Sequence, residues 1–145
     1  AFCVIAYDWD SEKSYLVDEY MHAERTTEQH ALEIQKLIDK WDIDYIYIDS
    51  AAQQTRFDLA QNFDISTINA KKSVLDGISH VAGIVDNDKL VMDQRCSESQ
   101  YSIESYQWDS NPNLMKERPK HDRSSHMADA MRYSLYSFVT SNSTF

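Results

Sequence analysis

The chain has 145 residues, 42% of them hydrophobic and 12% aromatic, enough for one domain with a real core. A net charge of −10 excludes a protein that holds nucleic acid by its overall field. It does not exclude an enzyme in which bound cations offset clustered carboxylates. No apolar run reaches the ~20 residues of a membrane-spanning helix. Cys3 and Cys96 are too few and too far apart for a zinc cluster, and fit buried thiols.

Residues 2–7 and 14–21 are rich in Val, Ile, Tyr and Phe and flank the polar stretch DWDSEK, which predicts a β-hairpin. Thr26 with Gln29 matches a capping box. Ala31, Ile34, Leu37, Ile38 and Trp41 then recur at helical spacing, predicting an amphipathic helix over 27–41. A short strand in DYIYIDS (44–50) and a helix in AAQQTRFDLAQNF (51–63) follow, the helix with Phe57, Ala60 and Phe63 on one face. Residues 65–69 predict a brief strand. Ser73 stands where it would cap a helix running to Val85, with Val74, Ile78, Val81 and Val85 as its buried stripe. Both glycines of the chain, Gly77 and Gly83, fall inside that helix. Each costs roughly 0.5–1 kcal/mol relative to alanine there, so a close approach by another element is expected. KLVMD (89–93) predicts a strand and SESQYSIESYQW (97–108) a short helix. A polar loop with Pro112 and Pro119 leads to Ser125, the expected N-cap of a last helix over 126–139. Met127, Met131, Leu135 and Phe138 form its core stripe, flanked by Tyr133 and Tyr136. Strands alternating with helices give an α/β domain around a mixed sheet.

In such sheets functional groups gather beyond the carboxyl ends of the strands. Asp49 stands there, at the end of YIYID. Its plain structural reading is a cap for the next helix. His126 and Asp129, at i and i+3, share one face near the start of the last helix, where a carboxylate can simply favour the helix dipole. Taken together they suggest more. Carboxylates from separate elements converging on one point suit Mg²⁺ or Mn²⁺, and two such ions can assist phosphodiester hydrolysis. Positive charge gathers at Lys71-Lys72 and in KERPKHDR (116–123). There is no Gly-rich phosphate loop, so no ATP site is expected, and no GxSxG elbow.

The ordered series YIYIDSAAQ, INAKKSVLDGISHVAGIV, KLVMDQRC, YSIESYQWD and HMADAMRYSLY resembles the C-terminal nuclease domain of the large terminase subunit of tailed double-stranded DNA bacteriophages. Its most specific part is H-x-x-D-A-x-R-Y, here His126, Asp129, Ala130, Arg132 and Tyr133. The resemblance implies an RNase H-like fold, a mixed central sheet flanked by helices. It implies a metal-dependent endonuclease that cuts concatemeric viral DNA during genome packaging, using Mg²⁺ or Mn²⁺, with two ions expected. Asp49, Asp129 and His126 would be the catalytic and metal-binding residues. Lys71, Lys72, Arg56, Lys116, Arg118 and Lys120 would meet DNA phosphates. In-line attack by water would leave a 5′-phosphate.

The family's G-x-D-x-G first strand has no counterpart here, since the chain opens on AFCVIAYD. The expectation is therefore a single nuclease domain over 1–145, truncated at its N-terminus and lacking the family's ATPase domain. A further carboxylate would come from outside these residues. Expected partners are double-stranded DNA, the ATPase domain of the same polypeptide, the small terminase subunit and the portal protein, with no membrane. The expected location is host cytoplasm during virion assembly. Competing readings are another RNase H-like nuclease, such as a junction resolvase, or a non-catalytic acidic α/β protein-interaction domain. Repulsion between clustered carboxylates would make Asp129→Ala stabilising in metal-free buffer.

Overall fold

Alternating apolar residues at both ends of the chain's first twenty build a hairpin, and the rest of the fold is laid against it. A computed structural model of the chain describes residues 1–106 and 123–142. Strands β1 (Phe2–Asp8) and β2 (Lys13–Tyr20) pair antiparallel, with a bulge between Val4 and Ile5. Helix α1 (Thr27–Trp41) opens on the expected capping box: the Thr26 hydroxyl accepts from the Gln29 amide at 3.2 Å, and the Gln29 side chain accepts from the Thr26 amide at 2.9 Å. Then come β3 (Tyr47–Ile48), α2 (Gln53–Phe63), β4 (Ile68–Asn69), α3 (Val74–Asp86), β5 (Leu90–Met92), α4 (Ser97–Tyr106) and α5 (Arg123–Asn142). The order of elements matches the order read from the sequence.

The strands form two sheets. One is mixed, in the order β1-β2-β5, with β5 parallel to β2; the other is the parallel pair β3-β4. Helix α5 touches both β1 and β3 and so spans the space between them. The main core sits under α5, where Met127, Met131 and Leu135 close on Leu16 of β2 and on Cys96. A second, smaller core joins Ala31 of α1 to Leu59 of α2 and to Ile65. Both cysteines are free, and burial pushes their thiols up, Cys3 to about 12 and Cys96 to about 11. Among the described residues no helix is long and apolar enough to cross a membrane.

Three local expectations are corrected. Helix α5 begins at Arg123, so Ser125 is a buried residue inside the helix and not its N-cap. In α2 the buried residue is Leu59, while Phe57 is exposed. Ser73 occupies the N-cap position of α3, but its side chain makes no cap hydrogen bond.

The two glycines of α3 differ. A Cβ built on Gly77 would lie 2.8 Å from Arg132 Cγ, whereas one on Gly83 meets nothing within 4 Å. Gly83→Ala is therefore expected to stabilise the fold by roughly 0.5–1 kcal/mol through helix propensity alone. A rightward shift of the chemical denaturation midpoint would register it.

Candidate active site

Asp49 follows β3 directly and shapes the turn into α2: its carboxylate accepts from the Ala51 amide at 2.9 Å. It does not cap α2, whose N-cap position is Ala52. Its main partner comes from the segment before α3, where Lys72 Nζ lies 2.8 Å from Asp49 Oδ1. The Tyr133 side chain adds a smaller downward pull on the Asp49 carboxyl's pKa. Lys72 foremost, with the Ala51 amide, holds the Asp49 carboxyl below the usual carboxylate range.

A carboxyl with a lowered folded value contributes stability above the unfolded range, and that stability is lost as pH falls through the folded value. A ¹³C carboxylate titration is expected to show Asp49 titrating below ordinary Asp, and returning toward it in Lys72→Met.

Asp129 lies six residues into α5, beyond the first turn in which a helix dipole acts appreciably. The dipole explanation therefore does not account for it. Its Oδ1 receives Arg132 Nη2 at 3.1 Å. Arg132 is buried, with its guanidinium 5.0 Å from the centroid of the Tyr133 ring.

Each carboxylate thus already faces a cation, which reverses the expected effect of Asp129→Ala. Removing Asp129 leaves a buried guanidinium without its counter-charge, and the partly exposed pair implies a loss of about 1–2 kcal/mol. Urea denaturation in metal-free buffer measures this; a gain in stability would restore the repulsion argument.

Asp49, His126, Asp129 and Tyr133 all line one cavity of about 950 Å³, walled by β1, β3, α1 and α5. His126 is exposed at its surface. Of the residues expected at DNA, Lys71 and Lys72 are exposed on the segment before α3. Arg56 is engaged elsewhere: it donates to the Thr67 hydroxyl at 3.0 Å, to the Thr67 carbonyl at 2.9 Å and to the Asn69 side chain, tying α2 to β4. Lys116, Arg118 and Lys120 lie outside the described residues. Asp8, at the end of β1, accepts from the Ser11 hydroxyl at 2.8 Å and is not among the residues lining this cavity.

Among the described residues no group of three His, Cys, Asp or Glu side chains is placed to hold a metal ion. The donors fronting the cavity still fit a hard divalent cation. Mg²⁺ commonly takes one or two carboxylates and completes its shell with water and substrate phosphate.

Arg132 and Tyr133 acquire contacts to the site that local sequence reading did not assign. The i, i+3 spacing of Asp129 and Arg132 was an available signal for the first; Tyr133 has no comparable local mark.

A mixed sheet overlaid by helices, with acidic residues at a strand end and on the last helix, defines an RNase H-like domain. The chain belongs to the family described as the terminase RNaseH-like domain, which matches residues 1–138. It is 41% identical over 140 residues to the terminase large subunit of Escherichia phage T5, covering 94% of this chain and 32% of that protein. The chain thus spans about a third of that relative's length. Among solved structures it is similar to the large terminase of a thermophilic bacteriophage, with a TM-score of 0.72 and 23% identity, over 95% of this chain and 40% of that one. A second structure of that terminase, with ATP-γ-S, matches at a TM-score of 0.69 and 20% identity, with the same coverage. At these identities the structural likeness speaks for the fold.

Proposed function

We propose that the chain is the nuclease domain of a phage large terminase subunit and hydrolyses phosphodiester bonds of double-stranded viral DNA with the help of divalent metal. The observation that carries this reading is the meeting of Asp49 and Asp129, from different elements, on one cavity in a chain of the terminase RNaseH-like family. The reading includes cleavage of concatemeric DNA during packaging, in the host cytoplasm. Its partners are then the DNA, an ATPase domain of the same polypeptide, the small terminase subunit and the portal protein.

Each residue has a part in this reading. Asp49 and Asp129 hold Mg²⁺ or Mn²⁺, two ions in the full site. Bound ions supply positive charge against the phosphate and lower the pKa of water. His126, at the cavity surface, orients water or a carboxylate. Lys72 fixes Asp49, and Lys71 offers its ammonium group to a backbone phosphate. The β1 and β3 edges both line the cavity, so a strand entering there would bring a further carboxylate beside Asp49. Sequence preference is expected to be weak, because phosphate contacts carry no base information.

Supercoiled plasmid incubated with the polypeptide and Mn²⁺ should be nicked and then linearised, and EDTA should stop the reaction. Preference for four-way junctions over plain duplex would instead favour a resolvase. Absence of both cleavage and Mn²⁺ binding would overturn the nuclease reading and leave the interaction domain.

A further inference from the structure

We propose that Arg132, seated on Gly77, is the positioning residue that holds both carboxylates of the site in place, Asp129 directly and Asp49 through the backbone of Lys72. The proposal rests on reading Asp49 and Asp129 as the metal-holding pair.

Arg132 is 7% exposed, and a guanidinium that far from water needs partners for its donors. It finds them in two directions. Nη2 donates to Asp129, while Nη1 is shared between the carbonyls of Lys72 and Ser73, each at 3.3 Å. One planar group therefore ties helix α5 to the segment entering α3. A second tie lies further along α5, where the Ser137 hydroxyl accepts from the Lys71 amide at 2.8 Å. With its backbone fixed at these points, Lys72 presents its ammonium group to Asp49.

Tyr133, against which Arg132 lies, lines the same cavity as Asp49. Gly77 makes the geometry possible. The Arg132 stem crosses α3 where a Cβ would stand 2.8 Å from Cγ and 2.9 Å from Cδ. Lysine could not replace Arg132, because one ammonium nitrogen cannot stand at both the Nη1 position that reaches the carbonyls and the Nη2 position that reaches Asp129.

Arg132→Lys and Gly77→Ala test this, with Gly83→Ala as the control in the same helix. The first readout is the ¹³C carboxylate resonance of Asp49 in metal-free protein, because Arg132 does not touch Asp49. The second is Mn²⁺ affinity by calorimetry, and the third is the melting temperature. Arg132→Lys and Gly77→Ala are expected to move the Asp49 resonance and to weaken Mn²⁺ binding tenfold or more. Gly83→Ala should leave both unchanged and raise the melting temperature, whereas Gly77→Ala should lower it.

An unmoved Asp49 resonance in both test variants would overturn the positioning role, whatever happens to metal affinity. Should Arg132→Lys fail to fold, Gly77→Ala alone decides by the same resonance. If the wild type itself binds no Mn²⁺, the metal reading fails while the resonance still decides the role of Arg132.

Discussion

Replacing Asp49 or Asp129 with asparagine is expected to reduce Mn²⁺-dependent plasmid nicking at least about 100-fold. Loss of a residue that merely supports a metal ligand typically costs 10–100-fold, so loss of a ligand should reach or exceed the upper end. Asparagine keeps the shape and one acceptor oxygen, so the Ala51 amide retains its partner at Asp49. What disappears is the negative charge opposite Lys72 and opposite a bound cation. The Lys72–Asp49 pair is substantially exposed, so its removal should change stability by no more than about 1 kcal/mol. Activity and folding are therefore separable at Asp49. Initial nicking rates measured across a Mn²⁺ series, beside a denaturation curve for each variant, make the comparison. Rates equal to wild type in both variants would remove these carboxylates from catalysis and assign the cleavage to other residues.

Much of this arrangement is legible in the sequence, for reasons that are local. The capping box at Thr26 and Gln29 and the stripe of Met127, Met131 and Leu135 depend on spacing within one helix, and spacing is what a sequence displays. The alternation of strands and helices likewise follows from period and punctuation. Where competing local signals are equivalent, the reading fails. Nothing in Arg123-Ser124-Ser125 stops a helix from extending backwards, so the two serines gave no unique start for α5. In α2, Phe57 and Leu59 both offer an apolar side chain, and only packing against Ala31 and Ile65 selects Leu59.

The site divides along the same line. Asp49 and Asp129 stand at positions with chemical meaning in an α/β domain, a strand end and the inward turn of a late helix. The Lys72–Asp49 pair and the seat of Arg132 on Gly77 join segments far apart in the chain. No periodicity encodes such contacts. Gly77 did carry a trace, since an unfavourable residue in a helix interior asks for a packing reason, and Arg132 is that reason.

Leu16→Ala should be the most destabilising of the substitutions considered, because it empties the point where the hairpin meets α5. Leu16 is fully buried, and its backbone carbonyl accepts from the Asp93 amide at 2.9 Å, which anchors the end of β5. Truncating a buried leucine costs about 2–5 kcal/mol, set by how far the neighbours relax into the cavity. Here the neighbours include Met127 and Met131, whose unbranched side chains adapt readily. The loss should therefore fall in the lower half of that range, about 2–3 kcal/mol, still a large fraction of a domain's total ~5–15 kcal/mol. That relaxation has a consequence for the site. Met127 and Met131 bracket Asp129 on α5, so movement of the methionines toward β2 carries the helix with them. Leu16→Ala is thus expected to lower nicking activity under conditions where the variant is still folded. Leu75→Ala, at an exposed position, should change stability by less than about 0.5 kcal/mol and leave activity intact. Denaturation midpoints at unchanged m-value would measure the first effect, and plasmid nicking well below the transition the second. Full activity in folded Leu16→Ala would mean that Asp129 is held by its polar contacts alone, independently of the core beneath it.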